Sequence, residues 1–269
     1  MNLKVVCWNV KRAKKEKDML WNKILSFDAD ILLLQEVISF PQQILDSYKI
    51  QERKATKKNG SDQLFSTALL VKAEICSEIK LFSKHDWVNK ELDFFKGNLI
   101  AFKIRFEDTY LNVISIYSPA WEIDRERLKG IDISEVKLEK NPYLWCATIF
   151  RDALKNNMFL DNHPWIIGGD FNSSPTFDKT FSSGCQESID RYYALGLKEC
   201  LKEYNGKLIP TFKNTNGGRI VHQIDHLYVT NQFYENLENC YVTEQNEIFD
   251  NNLSDHLPII ANFKILNNM

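Results

Sequence analysis

Short apolar runs, each closed within a few residues by a polar side chain, recur along the whole chain and constrain its fold more than any other feature. Leu3 to Trp8 is apolar and rich in β-branched residues, contains no Gly or Pro, and stops at Asn9. Ile31 to Leu34 stops at Gln35-Glu36, and Pro164 to Ile167 runs into Gly168-Gly169-Asp170-Phe171-Asn172. Bounded runs of this length read as buried strands. None approaches the ~20 apolar residues that cross a bilayer, so a spanning helix and a membrane partner are not expected.

Helical spacing separates the strands. Met19, Leu20, Ile24, Leu25 and Phe27 predict a helix over 18–27, Tyr143, Ala147, Phe150 and Leu154 predict one over 143–154, and a third is expected around 188–195. Further strands are expected at 67–71, at 99–106 and 110–117 flanking the turn Glu107-Asp108-Thr109, at 224–230 and at 257–263. Residues 57–62 and 120–142 read as polar loops, and a Ser/Pro-rich loop follows Asn172. Strands and helices interleave without a repeat or a flexible linker, which favours one α/β domain of layered sheets over 1–269.

A chain of 269 residues buries roughly 70–75% of its unfolded surface, so it needs no disulfide or metal to fold. Its six cysteines contain no C-x-x-C pair and read as buried reduced thiols. The N-terminus lacks the basic, apolar and small-residue sequence of a cleaved signal, which points to the cytoplasm. Nothing marks an obligate protein partner, and a monomer is expected. The net charge of −2 neither demands nor excludes nucleic acid, because the placement of the lysines decides. Two basic clusters stand out, Lys11-Arg12-Ala13-Lys14-Lys15-Glu16-Lys17 and Arg53-Lys54-Ala55-Thr56-Lys57-Lys58; the default reading of both is solvated surface.

Polar groups at the ends of neighbouring strands point into a shared crevice. Asn9, Glu36, Asp170 and Asn172 would supply hard oxygen donors there, which suits Mg²⁺ or Mn²⁺ held by one or two carboxylates and suits zinc poorly. Taken singly, Asn9 reads equally as a turn former, Glu36 as a surface charge and Gly168-Gly169-Asp170 as a turn. The tail weighs against that reading, because two histidines each adjoin an aspartate, in Asp225-His226 and Asp255-His256.

In order, Trp8-Asn9, Gln35-Glu36, Tyr117-Ser118-Pro119, Gly169-Asp170-Phe171-Asn172, Ile224-Asp225-His226 and Ser254-Asp255-His256 resemble the motif series of the endonuclease/exonuclease/phosphatase superfamily. Thr211-Phe212 stands where that family commonly has a Thr-aromatic pair. The resemblance implies an α/β (α+β) four-layer sandwich, two packed mixed β-sheets flanked by helices, and a divalent-metal-dependent phosphodiester hydrolase. It implies that Glu36 binds the metal with Asn9 close by and Asp255 contributing directly or through water. It further implies that Asp170 orients the attacking water, that Asn172 holds the phosphate or that aspartate, and that His256, fixed by Asp225, faces the phosphate. Tyr117 would reach toward the phosphate or leaving group, with the packed end of a strand as its alternative, and His226 is read as structural.

The core specifies only a phosphate ester. Compact length and the basic residues Lys11, Arg12, Lys14, Lys15, Lys57 and Lys58 favour a nucleic-acid substrate, DNA or RNA. Against this, Val221-His222-Gln223-Ile224 lacks the arginine that DNA-repair relatives carry before Ile-Asp, which favours a phosphatase or phosphodiesterase of a small-molecule or lipid phosphate. A degenerate member that binds without cutting is a third reading, opposed by the complete acid–base set. Trp121, Arg125, Arg127 and Lys129 in the 120–142 segment could form a substrate-facing element or a solvated connection.

Overall fold

A computed structural model describes residues 1–181, 184–214 and 218–265. The first part of the chain forms β1 (Asn2–Ala13), α1 (Asp18–Ser26), β2 (Ile31–Val37), α2 (Gln42–Ser47), β3 (Lys49–Thr56), β4 (Asp62–Val71) and β5 (Glu74–Glu78). Next come α3 (Asp86–Phe94), β6 (Leu99–Phe106), β7 (Thr109–Tyr117), α4 (Trp145–Asn157), β8 (Trp165–Asp170), α5 (Pro175–Phe181) and α6 (Cys185–Tyr193). The remainder is β9 (Leu197–Glu199), α7 (Cys200–Asn205), β10 (Phe212–Lys213), β11 (Ile220–His222), β12 (Asp225–Thr230), α8 (Asn231–Tyr234), β13 (Leu237–Val242), a π-helical turn (Asn246–Asp250) and β14 (Ile259–Lys264).

Two six-stranded mixed sheets, ordered β13-β14-β1-β2-β4-β3 and β5-β6-β7-β8-β12-β9, pack face to face. Alternation along each strand sorts the apolar side chains into layers. Leu3, Val5, Cys7, Ile31, Leu33, Leu69, Val113, Ile166 and Leu227 fill the space between the sheets. Val6, Trp8, Leu32 and Leu34 face outward under Leu20, Trp21 and Ile24 of α1. On the other outer face, Ile114, Ile116, Ile167 and Tyr228 lie under α3, α4 and α6. The expected α/β sandwich of two helix-flanked sheets is the observed architecture.

Several local expectations need correction. β1 does not stop at Asn9; it runs to Ala13 through a register shift against β2, so Lys11 and Arg12 are strand residues. Gly168 and Gly169 lie inside β8 rather than in a turn. A Cβ on Gly169 would sit 1.8 Å from the Ile116 carbonyl oxygen, so the close approach of β7 requires glycine there. Tyr143 precedes α4 and is exposed, while Ala147, Phe150 and Leu154 do form its buried face. The Ser/Pro-rich stretch contains α5, and Arg53 and Lys54 of the second basic cluster lie on β3. The strands β3, β5 and β13 carry little apolar periodicity and were not expected; α3 was not expected either, although Val88, Leu92 and, at its C-cap, Phe95 recur at helical spacing. No helix among the described residues is long and apolar enough to cross a membrane.

Candidate functional site

The column of side chains between the sheets changes from apolar to polar at one end, and this change builds the site. On β1 the inward positions run Leu3, Val5, Cys7 and then Asn9; on β2 they run Ile31, Leu33 and then Gln35. By the same alternation Leu111 and Val113 are followed by Ser115 and Tyr117 on β7, and Ile166 by Gly168 and Asp170 on β8. β12 is antiparallel to β8 and pairs Asp225 with Asp170, so its first residue joins the cluster. Tyr117 is the register partner of Asp170 on the other side.

Asp170 is 2% exposed and held from two directions: Asn9 Nδ2 donates to its Oδ2 at 3.0 Å, and the Asn172 N–H donates to its Oδ1 at 2.9 Å. The Asn172 side chain turns away and donates to the Ser118 carbonyl at 3.0 Å, tying the end of β8 to the end of β7. Burial is the main force that pushes the Asp170 carboxyl above its ordinary range; the His256 charge opposes it and the Asp225 charge reinforces it.

His256 enters from the segment before β14. Its Nδ1 lies 2.9 and 3.1 Å from the two Asp225 oxygens, and Thr211 Oγ1 donates to Asp225 Oδ2 at 2.7 Å. Burial works against a charged imidazole here, but Asp225, through its charge and hydrogen bond, outweighs it with help from Asp170 and Asp255, raising the His256 pKa to about 9. The backbone is pinned as well: Trp8 Nε1 donates to the His256 carbonyl at 2.8 Å, and Ser254 Oγ donates to the Asn9 carbonyl at 2.7 Å. The Phe212 ring packs on the imidazole with centroids 4.9 Å apart.

Glu36 reaches the same mouth by a different route. Gln35 points inward and is fully buried, donating to Ser115 Oγ at 3.1 Å, so alternation would send Glu36 to the outer layer. A register shift between Leu34 and Val37, with Glu36 at φ 60, re-aims the side chain. Burial raises the Glu36 carboxyl above its usual range, partly offset by His256, Arg12 and a hydrogen bond from Asn9. Burial, with Asp170 and Glu36 nearby, also raises the Tyr117 hydroxyl, which keeps it a proton donor; its ring packs edge-on against Phe65 at 5.3 Å. Asp255 lies at the rim, with Lys11 Nζ 3.2 Å from one oxygen and His256 Nε2 3.9 Å from the other.

Left-handed backbone concentrates in this region. Lys11 (φ 48), Arg12 (φ 54), Glu36 (φ 60) and Asn172 (φ 49) are non-glycine residues at positive φ, a conformation that costs roughly 1–3 kcal/mol each and persists where surrounding contacts over-determine it.

Asn9, Glu36, Tyr117, Asp170, Asn172, Asp225, Asp255 and His256 therefore meet at one end of the sandwich. Lys11 and Arg12 also border it, Arg12 Nε standing 3.8 Å from Glu36 Oε2 and its guanidinium 5.8 Å from the Phe65 ring centre. Lys14 and Lys15 follow on the exposed stretch before α1, where the Lys14 carbonyl accepts from Trp21 Nε1 and the Lys15 N–H donates to Ser39 Oγ. Lys57 and Lys58 belong to the β3–β4 turn, with the Lys58 charge acting on Asp124. Arg127 is not a substrate-facing residue: it clamps buried Glu91 with Nε at 2.6 Å, pairs with Asp124 and lies over the Phe94 ring. Thr211, Ser254, Gln35 and Phe65 support the site without having been assigned to it from sequence. Thr211 stood out only as half of a Thr-aromatic pair and Ser254 only as the start of Ser-Asp-His, while nothing local marks Phe65.

The donor set fits a hard divalent cation. Asp170, Asp225 and His256 present ligand-type atoms within 4.8 Å of one another, but the Asp225–His256 contact is already a charge-assisted hydrogen bond and a protonated imidazole cannot coordinate metal. Glu36 is the under-compensated carboxylate, raised by burial and with its nearest basic group beyond hydrogen-bond length. The Asn9 amide donates to Asp170 at 3.0 Å and also serves Glu36, while its oxygen accepts the Lys11 N–H at 3.0 Å, which leaves that oxygen one lone pair.

A model of the Endonuclease/Exonuclease/phosphatase family matches residues 6–256. An AP endonuclease from Archaeoglobus fulgidus superposes with a TM-score of 0.72 at 19% identity, covering 98% of this chain and 100% of that one. The 3′ phosphatase NExo from Neisseria, bound to a product DNA hairpin, gives 0.71 at 17% identity over 98% and 100% of the two chains. The catalytic domain of Xenopus laevis APE2 gives 0.69 at 17% identity over 99% and 94%. No curated protein matches the sequence.

Proposed function

The chain belongs to the endonuclease/exonuclease/phosphatase family, and from that premise we propose that it is a divalent-metal-dependent phosphodiesterase acting on nucleic acid by in-line attack of water. The observation that carries this reading is the buried Asp170 carboxylate, aimed by Asn9 and Asn172 and facing the Asp225–His256 pair across adjoining strands. In-line hydrolysis requires a positioned water, neutralised phosphoryl oxygens and a stabilised leaving oxygen.

Asp170, raised by burial, is suited to orient the water and take its proton, a role worth roughly 10²–10⁴ in rate. His256, held cationic by Asp225, offers its Nε2 side to the developing charge, and the protonated Tyr117 hydroxyl can donate to the phosphate or leaving oxygen. Glu36, with Asn9 beside it, would hold Mg²⁺ or Mn²⁺, which when bound offsets phosphate charge and stabilises the leaving oxygen, while Asp255 at the rim is paired with Lys11. Asn172 fixes the Asp170 carboxylate through its backbone N–H rather than through its side chain.

Nucleic acid is favoured by the basic residues at and beside the mouth, Lys11, Arg12, Lys14 and Lys15, with Lys57 and Lys58 on the neighbouring turn. It is also favoured by the AP endonuclease and the DNA-bound phosphatase among the structural neighbours. The second reading, a small-molecule or lipid phosphate, is supported by Gln223, which is fully buried and accepts the Ile209 N–H where an arginine could have met a phosphate backbone. Purified protein incubated with single- and double-stranded DNA and RNA, with Mg²⁺ or with EDTA, should cleave at least one of the four only when Mg²⁺ is present. Turnover confined to a phosphoinositide or nucleotide panel would transfer the assignment to the second reading.

A further inference from the structure

Lys11 and Arg12 are consecutive, basic and both left-handed, at φ 48 and 54, inside a strand. Such a pair is rare for residues with a Cβ, and here it is held by the Lys11 N–H donating to Asn9 Oδ1. The turn sends each side chain to a different carboxylate at the mouth. Lys11 Nζ lies 3.2 Å from Asp255 Oδ2, whereas Arg12 Nε stops 3.8 Å from Glu36 Oε2 with 68% of its side chain exposed. The two acids are therefore unequally served. Asp255 also has His256 Nε2 at 3.9 Å on its other oxygen, so two basic groups already face it. Lys17, whose Nζ donates to the Leu253 carbonyl at 2.6 Å, adds a further positive charge in the neighbourhood of Asp255.

We propose that the Lys11 ammonium is the resident second cation of the site, matched to Asp255, so that the chain takes up one divalent ion, at Glu36, instead of two. This rests on the reading of the mouth as a divalent-metal site. A carboxylate with a lysine at 3.2 Å and a histidine on its other oxygen gains little from a further cation, while Glu36 gains most: its nearest ion-pair partner is a largely exposed guanidinium at 3.8 Å, and burial still raises its carboxyl despite the His256 charge and the Asn9 hydrogen bond. A lysine also suits a fixed charge beside a phosphate, being a compact point charge on a flexible stem. Lys11 would thus keep Asp255 and the neighbouring His256 in place whether or not substrate is bound.

The test is a Mn²⁺ titration followed by the electron paramagnetic resonance signal of the free ion, on the full chain and without substrate. The wild-type protein should bind one equivalent, Glu36→Gln should lose it, and Lys11→Ala should bind a second equivalent at the freed Asp255. Lys11→Arg, which keeps the charge, should remain at one, and far-ultraviolet circular dichroism of each variant reports folding independently. Two equivalents in the wild-type protein, or a folded Lys11→Ala protein that still stops at one, overturn the inference and leave the proposed function standing. A wild-type protein that binds none overturns the metal-site reading itself, and the inference with it.

Discussion

Two histidines next to aspartates, His226 and His256, are equally hidden from solvent, yet the fold gives them opposite surroundings. His226 follows Asp225 on β12, so alternation puts Asp225 between the sheets and His226 on the outer face among Phe171 and Tyr228. There its Nε2 donates to the Ser173 carbonyl at 2.8 Å and its Nδ1 lies 3.3 Å from Gln223 Nε2, so both ring nitrogens have partners. The nearby Glu199 has its oxygens committed to the N–H groups of Lys202 and Leu227. His256 instead meets Asp225 itself, with Asp170 and Asp255 behind, and so is surrounded by negative charge. Burial alone does not mark a catalytic group; what decides is whether the neighbouring acid is left free to hold a charged ring.

The largest expected effect breaks the comparison at its functional end. If the proposed roles hold, His256→Ala, like Asp170→Asn, should lower kcat by roughly 10²–10⁴ with KM changed little, since each removes a group assigned to the reacting phosphate or the attacking water. Single-turnover rates on whichever nucleic acid is cleaved measure this, and near wild-type turnover in either variant refutes the assigned roles. His226→Ala should do the reverse. Losing a buried ring and stranding the Ser173 carbonyl should cost about 2–4 kcal/mol of stability, read by urea denaturation, while activity well below the transition stays within about tenfold.

A finer cut uses pH. His256 has a folded pKa of about 9, above the ordinary value of about 6.5. Its charged-state contribution to stability is therefore complete below about 6.5 and is lost as pH rises through about 9, and the alkaline limb of activity should fall in the same interval. In Asp225→Asn the largest charge-stabilising partner is gone and burial dominates, so the residual activity should show its alkaline limb moved toward acid by one pH unit or more. A limb that stays in place would mean that another group sets it.

The strands that form the site were legible because each contains a short apolar run, with Asn9 and Asp170 at the ends of theirs and Asp225 within its own, where it proves to be the first residue of β12. Glu36 was legible as a strand-end donor, and its metal role only through the resemblance; the bulge that aims it into the crevice, against simple alternation, has no glycine to announce it. The same limit hid the fate of the first basic cluster. Lys11 and Arg12 read as solvated surface and are exposed; what stayed hidden is that β1 continues through them in a left-handed turn that no composition rule marks. β3 and β13 were missed because their burial alternates weakly, as edge strands allow. Arg127 misled because an exposed-looking basic residue in a polar stretch found its partner, Glu91, 36 residues away on α3.

The smallest expected effect asks whether the basic rim of the mouth, Lys11 and Arg12, extends outward beyond the end of β1. Lys14 and Lys15 lie just beyond the Lys11–Arg12 turn, exposed, with only backbone atoms engaged. If nucleic acid leaves the crevice in that direction, Lys14→Glu/Lys15→Glu should weaken binding about equally for all sequences and reduce the slope of log K against log salt by roughly one for each phosphate no longer neutralised. The kcat at saturating substrate should not move, because neither side chain approaches Asp170 or His256. An unchanged slope would direct the strand to the other basic ridge, Lys57 and Lys58 on the β3–β4 turn, and the same pair of charge reversals there would then carry the effect.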